Sequence, residues 1–308
     1  MASTAPSRLF QDVAASGVKH EYRPYQDDPS SNYVLPKDTK EHCRLEGQAQ
    51  ALETLMGGEV LHAPVDVAKV KKVLDIGCGT GVVTDKLAQR FPKADVYGLD
   101  LSPVPKVREQ RPNVRYIQGN AVTQRPTNWS GTQEPAITED EAVFDYIFSR
   151  LLIAGITDWN GLLAHEFAML KPGGYLEHHE VDSTSFDANG HELPNVLKDR
   201  AGLLHLDPRA GRKMKERMED VGFVDVMEVK YRLPLGGALE TDPAMQDVGD
   251  FWYRDICEVF TATAYGVARK LGKPIEYATA EIDKFLASRK PNVGSYTMIY
   301  AVYGRKPE

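Results

Sequence analysis

The sequence predicts an α/β protein built on a parallel sheet, and three observations support this. Strand-like apolar runs alternate with helical patterns from residue 72 to residue 181, and such alternation means right-handed crossovers between parallel strands. The first run passes straight into a triple-glycine bend, Gly77-Cys78-Gly79-Thr80-Gly81, which opens a helix. The composition is that of an ordinary folded chain: of 308 residues, 42% are hydrophobic and 26% charged, which excludes disorder as the main state.

The elements follow in order. Residues 1–68 carry a polar start, an aromatic and proline-bearing stretch (Tyr22, Pro24, Tyr25, Tyr33, Pro36), and a helical pattern from Lys40 to Met56 that Gly57-Gly58 ends. We read them as an N-terminal lid segment. Residues 69–182 form the core. Lys72 to Ile76 is the first strand, and Val82, Val83 and Leu87 share one face of a helix that stops before Pro92. Val96 to Leu99 is a second strand closing on Asp100, Val114 to Ile117 a third ending near Asn120, and Phe144 to Phe148 a fourth. The polar stretch Thr123 to Glu141 reads as a surface insertion. Trp159, Leu163, Phe167 and Leu170 make an amphipathic stripe with Asp158 as its N-cap. Lys171-Pro172-Gly173-Gly174 breaks that helix, and Tyr175 to Val181 is the fifth strand. Residues 183–308 read as a helical cap with the last two strands. A helix from Arg209 to Asp220 leads to a strand from Phe223 to Leu235. Met245, Val248, Trp252, Ile256 and Val259 mark another helix, and a last helix from Glu281 to Ser288 precedes a seventh strand, Tyr296 to Tyr303.

Charge and cysteine usage narrow the function. A net charge of −7 argues against a nucleic-acid partner, which draws affinity from clustered Lys and Arg; the basic run Arg212 to Arg217 reads as the solvated face of a helix. Three scattered cysteines support neither a disulfide framework nor a metal cluster, and point to a reducing, cytoplasmic compartment, with a nuclear address as the alternative. No apolar run approaches the ~18 residues of a membrane span.

The glycine bend selects among nucleotides. A dinucleotide fingerprint needs its third glycine where Val82 stands. Asp75, two residues before Gly77, would repel a pyrophosphate but suits a ligand bearing an ammonium group. Asp100 closes the next strand, where a carboxylate accepts both ribose hydroxyl protons. These features fit a ribose-containing cofactor with a positively charged amino-acid tail.

Val73 to Gly81, Gly98-Leu99-Asp100-Leu101-Ser102 and Leu170 to Gly174 resemble the glycine loop, ribose acid and pre-strand turn of class I S-adenosylmethionine-dependent methyltransferases. Leu35-Pro36 with Glu41 and Arg44, Ile156 to Trp159, Tyr231 to Gly236 and Val302 to Pro307 resemble the fungal LaeA-like members. The resemblance implies a seven-stranded Rossmann-like sheet, S-adenosyl-L-methionine as cofactor, and a role in secondary metabolism. It also implies a cofactor site of Asp75, Gly77, Cys78, Gly79, Gly81, Asp100, Leu101, Asn120, Ala121 and Arg150, with Tyr33 nearby and Arg44 on the methionine carboxylate. Two positions depart from the family pattern: Asn120 stands where an acid is usual, and Gly294 where many relatives carry a histidine.

The implied reaction is methyl transfer to N, O or S of a small molecule, with no metal. A regulator that methylates protein and a cofactor-binding scaffold without methyl transfer are the alternatives, and monomer and homodimer both stay open. His178 and His179, at the end of the fifth strand, are the candidate proton acceptors, and alternation points them to opposite faces. Tyr22, Tyr25, Tyr33, Phe251, Trp252 and Tyr253 are candidate walls of an apolar acceptor pocket.

Overall fold

The computed structural model describes residues 23–25, 33–131, 137–194, 201–288 and 294–308. Tyr22 and residues 132–136 of the insertion lie outside them. Strands β1 (Lys72–Ile76), β2 (Asp95–Asp100), β3 (Val114–Gln118), β4 (Phe144–Arg150) and β5 (Leu170–Phe186) pair in parallel. With β6 (Val224–Pro234) and β7 (Tyr296–Arg305) they make one seven-stranded sheet in the order β3-β2-β1-β4-β5-β7-β6.

Around the sheet lie the helices α1 (Thr39–Leu55), α2 (Val82–Arg90), α3 (Trp159–Met169), α4 (Ala210–Val221), α5 (Pro243–Lys270) and α6 (Ile275–Ser288). Asp158 caps α3 by accepting the Gly161 amide, and Asp242 caps α5 through the Ala244 amide.

Alternation along the strands sorts the core into two layers. Leu74, Leu99, Ile147 and Leu176 face Leu162, Leu163 and Met214 of α3 and α4. Val73, Val96, Tyr146 and Phe148 face Val83, Leu87 and Phe91 on and just after α2. A third cluster joins α1, α5 and β6 through Leu52, Trp252 and Leu233, so these two helices close over one end of the sheet.

Several elements differ from the sequence reading. β7 runs antiparallel to both neighbours. Tyr296 opens it directly opposite Pro234, the last residue of β6; the chain therefore re-enters the sheet from the end at which it left, which permits only the antiparallel direction. Lys171 to Gly174 lies inside β5 as an irregularity, where the register with β4 shifts between Phe144 and Tyr146. β5 continues past Val181, α5 continues past Val259, and α6 starts at Ile275. The insertion is not wholly superficial: Pro126 and Trp129 are buried, and Trp129 belongs to the main core.

Leu74 is fully buried at the centre of the sheet. Leu74→Ala is expected to lower unfolding free energy by about 2–5 kcal/mol, read as a lower urea midpoint with an unchanged slope.

Candidate functional site

The bend after β1 is held from below. The amides of Gly77 and Cys78 both donate to the Leu99 carbonyl, at 2.8 and 3.0 Å. Gly77 has φ +68, and a Cβ there would overlap Leu152 Cδ2, so only glycine leaves this edge of the crevice open. Asp100 is the pivot. Its Oδ2 accepts the Gly79 amide at 2.9 Å and its Oδ1 the Ser102 amide at 2.9 Å. Burial pushes its pKa up, against the pull of those amides.

The bend borders a cavity of about 420 Å³. One end is lined by Gly77, Gly79, Asp100, Leu101, Asn120 and Ala121; the middle by Tyr33, Arg44, Arg150 and the 151–157 loop; the far end by Asp182, Ser183, Leu204, Trp252, Val259 and Thr297. Nine of the twelve expected cofactor residues therefore line this cavity.

Three of those residues stand behind the wall. Asp75 is 2% exposed and does not line the cavity; its Oδ2 accepts the Thr84 hydroxyl of α2 at 2.6 Å. The expectation that it meets an ammonium directly is corrected: its position on β1 turns it toward α2. Burial lifts its pKa to about 7, although Thr84 and Arg150 pull the other way. Cys78 is buried beneath the bend, and Gly81 opens α2 under the Tyr116 hydroxyl.

The two arginines of the cavity differ in availability. Arg44 donates to Glu41 through Nε and Nη2, at 3.0 and 2.6 Å, and to Asp255 through Nη1 at 2.7 Å, so its expected carboxylate-binding fork is already filled. Arg150 has no hydrogen-bond acceptor among the described residues. Burial lowers its pKa to about 10, with Asp75 opposing.

Neither expected histidine reaches the cavity. His178 is fully buried between β5 and α3, where its Nδ1 meets the Ser149 hydroxyl and its Nε2 lies 2.9 Å from Glu166 Oε2. Burial opposes its protonation, but the Glu166 carboxylate outweighs it and raises the pKa. His179 is fully buried on the opposite face, with Nε2 2.6 Å from Glu177 Oε1. Burial lowers its pKa despite its acidic partner. Glu177 also accepts the Ala63 amide at 2.8 Å, the Tyr146 hydroxyl at 2.9 Å, and both the amide and Nδ1 of His62. Placement at a strand end suggested chemistry; burial under helix and loop keeps both side chains off the cavity lining.

Sequence reasoning missed Asp182, Ser183, Ser185 and Thr297. The available signal was the polar run Asp182 to Ser185 continuing a strand. Trp252 and Tyr33 line the cavity as expected, whereas Tyr25 is buried with its hydroxyl donating to the Ala262 carbonyl at 3.2 Å, and Phe251 and Tyr253 lie off the lining.

Residues 45–228 match the model of the methyltransferase domain family. The chain belongs to that family. Methyltransferase str2 from Strobilurus tenacellus is 29% identical over 69% of this chain and 74% of its own. The secondary metabolism regulator LAE1 from Cochliobolus heterostrophus is 25% identical over 90% of both chains. The N-methyltransferase sirN from Leptosphaeria maculans is 25% identical over 92% of this chain and 97% of its own. The sheet order of this methyltransferase is that of the class I Rossmann-like fold.

Glu177 carries a pH prediction. Burial favours its neutral form, but the hydrogen bonds from His179 and His62 prevail and hold its pKa at about 2. A carboxyl depressed on folding adds stability above its unfolded pKa, and that stability disappears as pH falls through the folded value. Acid unfolding of the wild type should therefore steepen between about pH 4.5 and pH 2, from the unfolded carboxyl range to the folded value. Glu177→Gln should be less stable at pH 7 and flatter across that window.

Proposed function

We propose that this methyltransferase transfers the methyl group of S-adenosylmethionine to a nucleophile on a small, largely apolar molecule, and that the acceptor is a secondary metabolite. The observation that carries the reading is one continuous cavity joining the glycine bend and Asp100 at one end to an apolar compartment under α5 at the other. The glycine wall fits a nucleoside, since Gly77 holds a φ of +68 that L side chains rarely adopt and a Cβ there would strike Leu152, which also lines the cavity. A sulfonium supplies a methyl already activated for transfer, so the protein's task is alignment and water exclusion, worth up to ~7–11 kcal/mol.

Asp100 binds the ribose hydroxyls, and Leu101, Asn120 and Ala121 receive the adenine. The Asn120 side-chain oxygen already accepts the Val122 amide at 2.9 Å, which orients the amide group at the cavity edge. Gly77 and Gly79 lie along the amino-acid tail. Arg150, without a protein acceptor among the described residues, takes the methionine carboxylate; Arg44, committed to Glu41 and Asp255, instead holds α1 against α5 beside the tail, with Tyr33 covering it. Asp75, Cys78 and Gly81 support the bend from behind. His178 and His179 take no part in the chemistry.

The helices α1 and α5, which close over one end of the sheet, form the cover that sets specificity. Among the described residues no helix is long and apolar enough to cross a membrane. Three scattered cysteines with no paired spacing fit a cytoplasmic site of action.

Isothermal titration with S-adenosylhomocysteine tests the reading. Asp100→Ala and Arg150→Met should each weaken binding tenfold or more while circular dichroism stays unchanged. Arg44→Met should mainly lower thermal stability, since it strands two buried carboxylates. Unchanged affinity in both cavity variants would refute the assignment.

A further inference from the structure

The cover over the cavity is fastened differently on its two sides. Toward β6 and β7, α1 and α5 are held by apolar packing, with Leu52 and Trp252 buried in one cluster with Leu233 and Ile299. Toward the glycine bend, Leu45 of α1 rests over Gly79, where a Cβ would meet its Cδ1 at 3.3 Å. The ties that hold it there are charged.

Glu46 makes the central tie. Its Oε1 accepts the hydroxyl of Thr80, the middle residue between Gly79 and Gly81. Arg108, on the segment that follows β2 and Asp100, donates through Nη2 to both Glu46 oxygens at 2.5 Å and through Nη1 to the Thr80 carbonyl at 2.5 Å. The three residues close a ring that joins α1, the bend and the segment beyond Asp100. Glu53 of α1 adds an ion pair to Lys86 of α2 on the same side.

Thr80 is 1% exposed, whereas the side chains of Glu46 and Arg108 are 20% and 21% exposed. Apolar burial resists opening in proportion to the area returned to water. An ion pair within reach of solvent is replaced by water at small cost and is weakened by salt. Opening therefore starts on the bend side, with the apolar cluster at β6 and β7 as the anchor. Leu45 and Gln48 line the cavity together with Gly77, Gly79 and Asp100, so α1 roofs the end at which the cofactor is placed above. None of the three clasp residues lines the cavity; they act on a ligand through the positions of Leu45 and the bend.

We infer that Glu46 is a positioning residue that clasps α1 to the glycine bend through Thr80 and Arg108, and that opening of this clasp sets the rate at which the cofactor enters and leaves. The inference rests on the cofactor reading above and adds the step by which that site is filled and emptied.

Surface plasmon resonance of S-adenosylhomocysteine on the immobilised full chain tests it. This ligand has no sulfonium and is a net-neutral zwitterion, so removing the Glu46 charge does not act on it at a distance. Glu46→Gln and Arg108→Met should each raise koff at least tenfold and kon at least threefold, so that affinity changes less than either rate. The double variant should release no more than about twofold faster than the faster single, because both act through one clasp. Raising NaCl to about 1 M, where charges are screened beyond about 3 Å, should speed release from the wild type and leave Glu46→Gln within twofold of its low-salt rate. Met218→Ala, which weakens the core at α4 without touching the clasp, should keep the wild-type koff. In the ligand-free chain, amide hydrogen exchange over residues 40–50 should quicken in Glu46→Gln. A koff within twofold of wild type in Glu46→Gln, multiplicative effects in the double variant, or release as fast in Met218→Ala would overturn the inference. A wild type that binds no S-adenosylhomocysteine would bring down the cofactor reading and this inference with it, whereas binding with unaltered release in the variants removes the clasp alone.

Discussion

Everything at the site depends on where the sheet reverses its order. From β1 the chain adds β2 and β3 on one side, then crosses to place β4 and β5 on the other. The connections leaving β1 and β4 therefore diverge, and a crevice opens above the carboxyl ends of the strands. The glycine bend, Asp100 and Arg150 all meet there because each ends a strand or follows one. The helices cannot fill that opening without undoing the crossovers that built the sheet. What covers it comes from elsewhere in the chain, from α1 and the long α5.

Covering it required an unusual amount of buried charge. Arg44 sits between Glu41 and Asp255 where α1 meets α5; Glu177 ties the segment before β1 to β4 and β5; Glu166 holds His178 under α3. Replacing such clusters with apolar residues is often neutral for stability, whereas removing one partner costs about 3–5 kcal/mol. These networks do not make the fold more stable than an apolar core would. They set the geometry of the cavity walls, because a paired charge tolerates few alternative positions.

Much of this was legible in residue order. The alternation from Lys72 to Val181 set out five strands and their neighbours, and the spacing of Gly77, Gly79, Gly81 and Asp100 marked the bend and its acid. Strand ends were less legible. β5 runs on to Phe186 because β7 pairs with it as far as Tyr296, a partner 110 or so residues away that local propensity does not register. His178 and His179 looked functional because a strand end in this fold borders the crevice, but residues from α3 and the segment before β1 close over them.

Local sequence determined those features whose cause is local: which segments form strands and helices, where the chain turns on glycine, and which acids close the strands, since backbone sterics and side-chain periodicity act over a few residues. Tertiary structure alone decided availability. Whether Arg44 or Arg150 is uncommitted, whether Asp75 faces ligand or helix, and whether His178 or His179 reaches the cavity all depend on partners contributed by distant segments. A charged group acts on a ligand only with the capacity those partners leave unused.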